Sequence, residues 1–123
     1  MSAALALGLL AIPAGAQMPQ VVLTEADVGR VCIVPHGEDV LLRLPETPST
    51  GYRWSVAISP PEDATVQASH CTAAGQGAGA PGTRDFTLRV TKRGEVTLSA
   101  KLWREWAGEA STVERLTFTL DVQ

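Results

Sequence analysis

Leu44-Pro45-Glu46-Thr47-Pro48-Ser49-Thr50-Gly51-Tyr52-Arg53-Trp54 lies between two stretches of alternating polarity, and its reading decides the fold. Upstream, Val40, Leu42 and Leu44 alternate with Leu41 and Arg43; downstream, Trp54, Val56 and Ile58 alternate with Ser55 and Ala57. A period of two sends successive side chains to opposite faces, so both flanks read as half-buried β-strands and the middle as the loop between them. Trp54 reads as a core plug. Pro45 and Pro48 each fix φ near about −65° and push the residue before them towards extended geometry. Gly51 permits a turn that a side chain would forbid. A loop this stiff loses little entropy on binding. It is equally a well-made turn with no partner, and the residues alone leave both open.

The pattern recurs along the chain. Val21-Val22-Leu23, Arg30 to Val34 and Asp39 to Leu44 are short β-type runs. Ser59-Pro60-Pro61-Glu62-Asp63 interrupts any ladder, because neither proline can donate to it. Thr65 to Cys71 reads as a strand with Val66, Ala68 and His70 on one side, followed by an Ala/Gly-rich loop from Thr72 to Gly82. Phe86, Leu88 and Val90, then Val96, Leu98, Ala100 and Leu102, then Leu116, Phe118, Leu120 and Val122 form three inward-facing rows. No segment carries a helical period. Many short strands with Gly/Pro turns predict an all-β sandwich, whose connections gather at its two ends. Counting chain reversals places the loops at Pro48, at Gly77–Gly82 and at Arg104–Glu109 together at one end. Pro60-Pro61 and Arg93-Gly94 fall at the other.

The chain has 123 residues and a net charge of −3, which suits one small domain. Its ten basic residues are scattered and outnumbered by acids, so nothing points to nucleic acid. The apolar run Ala3 to Ile12 is too short to span a bilayer, and Ala14-Gly15-Ala16 follows it. This predicts a signal peptide over residues 1–16, a mature domain over 17–123, a periplasmic or secreted location, and no membrane insertion after cleavage. The alternative is a small-residue extension of a cytosolic protein, since no Lys or Arg precedes the apolar run. Cys32 and Cys71 fit one disulfide in an exported domain, or two separate buried thiols.

Catalysis has little support. Ser49 or Ser111 would need a base, and the histidines, His36 and His70, stand in no nucleophile-elbow or triad spacing. Cys32, His36, His70 and Cys71 match no common zinc pattern, so no metal or other cofactor is expected. Gly77-Ala78-Gly79-Ala80-Pro81-Gly82 contains a G-x-G-x-x-G string, but a strand follows it where a dinucleotide site needs a helix. This segment is either a linker or a loop that brings backbone close to a partner. Trp103 and Trp106 flank Arg104-Glu105, and aromatics with Arg on a loop are what interface anchors are made of.

Thr47-Pro48-Ser49-Thr50-Gly51-Tyr52 resembles the Asn-Pro-Thr-Thr-Gly-Tyr/Phe loop of the chagasin family, protein inhibitors of papain-like cysteine proteases. Gly77 to Thr83, with Gly79, Pro81 and Gly82, is similar to that family's glycine-rich second loop, and Arg104-Glu105-Trp106 to its Arg-Pro-Trp third loop. The likeness covers roughly Leu23 to Val122. It implies an immunoglobulin-like antiparallel β-sandwich, a monomer that is not an enzyme, and a papain-like cysteine protease as partner. It also implies roles. The Pro48–Gly51 loop would enter the cleft with Thr50 nearest the catalytic centre and Ser49 beside it. The glycine loop would lie along the non-primed side, and Arg104 and Trp106 would pack on the primed side. The chain departs from the pattern at Thr47 (Asn), Ser49 (Thr) and Glu105 (Pro), which bears on potency and target range. The competing expectation is a non-inhibitory β-sandwich that binds an envelope protein or a glycan through the same loops.

Overall fold

The computed structural model describes residues 21–123 apart from Ala74, Gln76 and Ala78; the expected leader, residues 1–16, lies outside the described residues. Eight strands follow in order: β1 Val21–Leu23, β2 Val31–Val34, β3 Asp39–Pro45, β4 Arg53–Ser59, β5 Ala64–Ala73, β6 Gly82–Val90, β7 Gly94–Trp103 and β8 Glu114–Val122. They form two four-stranded sheets, ordered β1-β3-β6-β5 and β2-β8-β7-β4. Among the described residues the only helical pieces are short 3₁₀ turns.

The inner faces are those the alternation predicts. Val40, Leu42, Leu44, Phe86, Leu88 and Val90 from one sheet meet Trp54, Val96, Leu98, Ala100, Phe118, Leu120 and Val122 from the other, all buried. Val56, Ile58, Leu102 and Leu116 pack against this core while keeping some exposure. Burying such side chains is worth roughly 1.5–3 kcal/mol each, which is what holds two otherwise marginal sheets together.

Three sequence expectations change. First, the sandwich is not wholly antiparallel: β1 runs parallel to β3, and β2 parallel to β8, while β3 to β8 pair antiparallel among themselves. Second, β5 presents no continuous inward row. A register shift between Val66 and Ala68 breaks its alternation, and as a sheet edge it is exposed along most of its length. Third, Cys32 and Cys71 are free thiols. Cys32 lies on β2, at the flank where the Glu25–Asp27 turn joins β1 to β2; Cys71 lies on β5, at the flank where Pro61–Asp63 joins β4 to β5. The width of the sandwich separates them, and a disulfide requires Cα atoms within about 7 Å. Burial pushes both thiols up, helped by Asp27 at Cys32 and by Glu46 at Cys71, so neither is a poised thiolate.

Connections alternate between two poles. At one, the Thr91 amide donates to the Asp63 carbonyl at 2.9 Å, tying the Pro60-Pro61 corner to the β6–β7 turn. At the other pole lie the first loop (46–52), the described part of the glycine-rich loop (75, 77 and 79–81) and the third loop (104–113).

Candidate functional site

The loop pole rests on a buried acid. Glu46, 4% exposed, follows β3 and stands across the neck of the first loop. Its Oε1 accepts the Trp54 amide at 2.8 Å, and its Oε2 accepts Arg84 Nη2 at 2.7 Å and Nε at 3.1 Å. Trp54 returns the tie, its indole donating to the Pro45 carbonyl at 2.7 Å. Burial pushes the Glu46 carboxyl up, but the hydrogen bonds from Arg84 and from the Trp54 amide prevail and hold it below the usual range. The loop is thus closed at its base by Glu46, just past β3, with Trp54 of β4 and Arg84 of β6.

Above this base, Pro48–Thr50 forms one 3₁₀ turn, with Pro48 in the first position where a missing N–H costs nothing. Gly51 ends the turn in the left-handed region, φ 81°, the conformation for which a glycine is needed. Thr47 supplies no side-chain cap; the lock comes from Thr50. Its hydroxyl donates to the Thr47 carbonyl at 2.8 Å and accepts the Tyr52 amide at 3.2 Å. Pro48, Ser49 and Thr50 are exposed at the crest, and Thr50 has both hydroxyl bonds inside its own loop.

The third loop crosses beside this turn. Its 3₁₀ turns, Glu105–Ala107 and Glu109–Ser111, are pinned by Ser111, whose hydroxyl accepts the Arg104 amide at 2.9 Å and lies 2.6 Å from the Gly108 carbonyl. Arg104 turns inward along the pole. Its Nε and Nη2 donate to the Thr50 carbonyl at 3.2 and 2.9 Å, and its guanidinium lies 4.2 Å from the Tyr52 ring centre and 5.6 Å from that of Trp106. Trp106 is 76% exposed. Trp103 is half-buried under Lys101, whose Nζ sits 3.6 Å from its ring centre.

On the opposite side, the Gly79 amide donates to Ser49 Oγ at 2.7 Å. Gly77 and Gly79 both have positive φ, and Pro81 is exposed. Gly82 is a correction. Expected in the exposed loop, it is instead the buried first residue of β6, where a Cβ would stand 2.8 Å from the Thr72 carbonyl and 2.9 Å from that of Glu46. It lets backbone pack under the first loop and is not on the surface.

The structure therefore brings Thr47, Pro48, Ser49, Thr50, Gly51, Tyr52, Gly77, Gly79, Pro81, Arg104 and Trp106 to one pole. Sequence reasoning missed Glu46 and Arg84. It had no signal for Arg104 reaching Thr50. The serines considered as nucleophiles hold loops in place, and His36 sits at the far pole, 3.4 Å from the Thr91 carbonyl.

Comparison with known proteins agrees with this architecture. Residues 33–122 match the model of the chagasin family of peptidase inhibitors, I42. Chagasin of Trypanosoma cruzi is 31% identical over 103 residues, covering 80% of this chain and 94% of that protein. The crystal structure of the cysteine protease inhibitor EhICP2 from Entamoeba histolytica superposes with a TM-score of 0.76 at 22% identity, over 89% of this chain and 100% of the other. PbICP-C, whose structure is of its complex with falcipain-2, aligns with a TM-score of 0.57 at 17% identity, over 89% of this chain and 95% of the other. The eight-stranded sandwich, the three-loop pole and the span of the family match lead to one conclusion: this chain belongs to the chagasin family of peptidase inhibitors.

Proposed function

We propose that the protein inhibits papain-like cysteine proteases reversibly, by seating its loop pole across the active-site cleft. The observation that carries this reading is the first loop. Its crest is exposed, its turn is locked by Thr50, and its neck is closed by Glu46, so it projects as a wedge already in shape. Preorganisation of this kind removes ordering cost from binding. Pro48, Ser49, Thr50 and Gly51 fill the catalytic centre without offering a bond to cleave. Gly77, Gly79 and Pro81 lie along the non-primed side, where small residues allow close backbone approach. Trp106 packs on the primed side as the large anchor. No covalent step is needed, and the protein works as a monomer without enzymatic activity. Its apolar, small-residue start over residues 1–16 supports export, with action in the periplasm or outside the cell.

Titration of active papain with the purified protein tests this. The expected result is stoichiometric loss of activity, with intact inhibitor recovered on dissociation. Unchanged activity at a large excess of folded protein would overturn it, and would favour a module that binds an envelope protein or a glycan.

A further inference from the structure

Arg104 sits in a third loop that by position faces a partner, yet its donors point into the molecule. Two of them converge on a single carbonyl, that of Thr50, at 3.2 and 2.9 Å. The plane of the same guanidinium lies against Tyr52 at 4.2 Å and near Trp106 at 5.6 Å. A methyl group at Gly51 would stand 3.7 Å from Arg104 Nε and 4.0 Å from Trp106 Nε1, so both side chains lie across the bare face of the turn. Arg104 itself is half-buried, and its own amide is fixed by Ser111. These contacts join residues 54 positions apart, and no other side chain among the described residues hydrogen-bonds the first loop's crest to the third loop.

The geometry points to Arg104 as a positioning residue that makes the first loop and Trp106 one rigid body before any protease arrives. This rests on the inhibitor reading. Without the brace, Trp106 would swing on a short exposed turn, and only a fraction of molecules would present wedge and anchor together. Apparent affinity falls in proportion to that fraction, and the loss appears in association, because the competent form is rarer. A residue that merely touched the protease would instead show its loss mainly in dissociation. Only a planar fork can hold one carbonyl with two donors while stacking on rings, so lysine is a poor substitute.

Two measurements test this, on wild type, Arg104→Gln and Arg104→Lys. Binding kinetics on papain with its catalytic cysteine blocked should show Arg104→Gln associating roughly tenfold more slowly, with dissociation changed by less than about twofold. Arg104→Lys should recover less than half of that loss. In the free protein, amide hydrogen exchange at Gly51, Tyr52 and residues 105–108 should quicken in Arg104→Gln, with β6 to β8 unchanged. Faster dissociation at an unchanged association rate would make Arg104 an ordinary contact and overturn the proposal. So would full rescue by lysine, or loop exchange identical to wild type. If the wild type fails to bind papain, the inhibitor reading fails, while the exchange experiment still decides whether Arg104 is a brace.

Discussion

The wedge is held unequally on its two sides. Towards the third loop it meets two donors of the Arg104 guanidinium, which lies against the loop's own Tyr52 and near Trp106. Towards the glycine loop, among the described residues, its one side-chain hydrogen bond is that of Ser49 Oγ, accepting the Gly79 amide. Among the described residues, and leaving out chain neighbours, nothing stands within 4 Å of where side chains would begin on Gly77 or Gly79. Few packed neighbours and exposed hydrogen bonds are the marks of segments that open at low free energy. One flank is therefore built to arrive in shape and the other to adapt. On the inhibitor reading proposed above, a single interface of this design would combine a fixed anchor with a tolerance for different cleft walls.

The largest effect should come from removing the foundation both flanks share. Glu46→Ala strands Arg84 and the Trp54 amide in a buried setting, and breaking a buried pair costs roughly 3–5 kcal/mol. Thermal melting should fall by more than about 10 °C, and inhibition should go with it. The sign with pH follows from the lowered carboxyl. Its contribution is complete above the ordinary value of 4.5 and is lost as pH falls through the lower folded value. The gap between wild type and Glu46→Ala should therefore hold from neutral pH to about pH 5 and narrow only in stronger acid. A gap that closes by pH 6 would mean Glu46 is not the charged keystone.

Trp106→Ala comes next and strikes the rigid flank alone. Truncating an aromatic hot spot costs about 2 kcal/mol or more, roughly thirtyfold in affinity, mostly as faster dissociation. At 76% exposure the tryptophan contributes little to the fold, so melting should not move. Unchanged dissociation from inactive papain in a folded variant would remove the third loop from the interface.

The smallest effect belongs to the adaptable flank. Ser49→Ala deletes one exposed hydrogen bond, worth about 0.5–1.5 kcal/mol, and should weaken inhibition by no more than about tenfold. Hydrogen exchange at Gly79 should quicken while the third loop stays as it is. If Ser49→Ala proves as damaging as Trp106→Ala, the asymmetry is wrong and the glycine loop is fixed as firmly as its counterpart.

The rows Phe86-Leu88-Val90 and Val96-Leu98-Ala100 were legible because a buried face writes its period directly into the sequence. The three-loop pole was legible because each strand reverses the chain. Strand direction at the edges was not, since alternation gives a face and says nothing of a partner: β1 and β2 join in parallel without any local signal. Glu46 reads as an ordinary loop acid until Arg84, 38 residues later, is brought beside it. Nor does the sequence signal that Arg104, 54 residues from Thr50, donates to its carbonyl. The cysteines left two readings open because their even number suits a bridge whichever flanks they occupy.

The parallel course of β1 alongside β3 has a practical consequence. Val21 pairs with Val40 near the start of β3, remote from the wedge, and Val122 pairs with Gly94 at the same pole, where Gln123 bonds to Val34 and His36. Val21 and Gln123 are thus both attachment points towards the pole opposite the three loops. A surface tether, an affinity tag or a second inhibitor fused in series could be joined at either end, leaving the three-loop pole unobstructed.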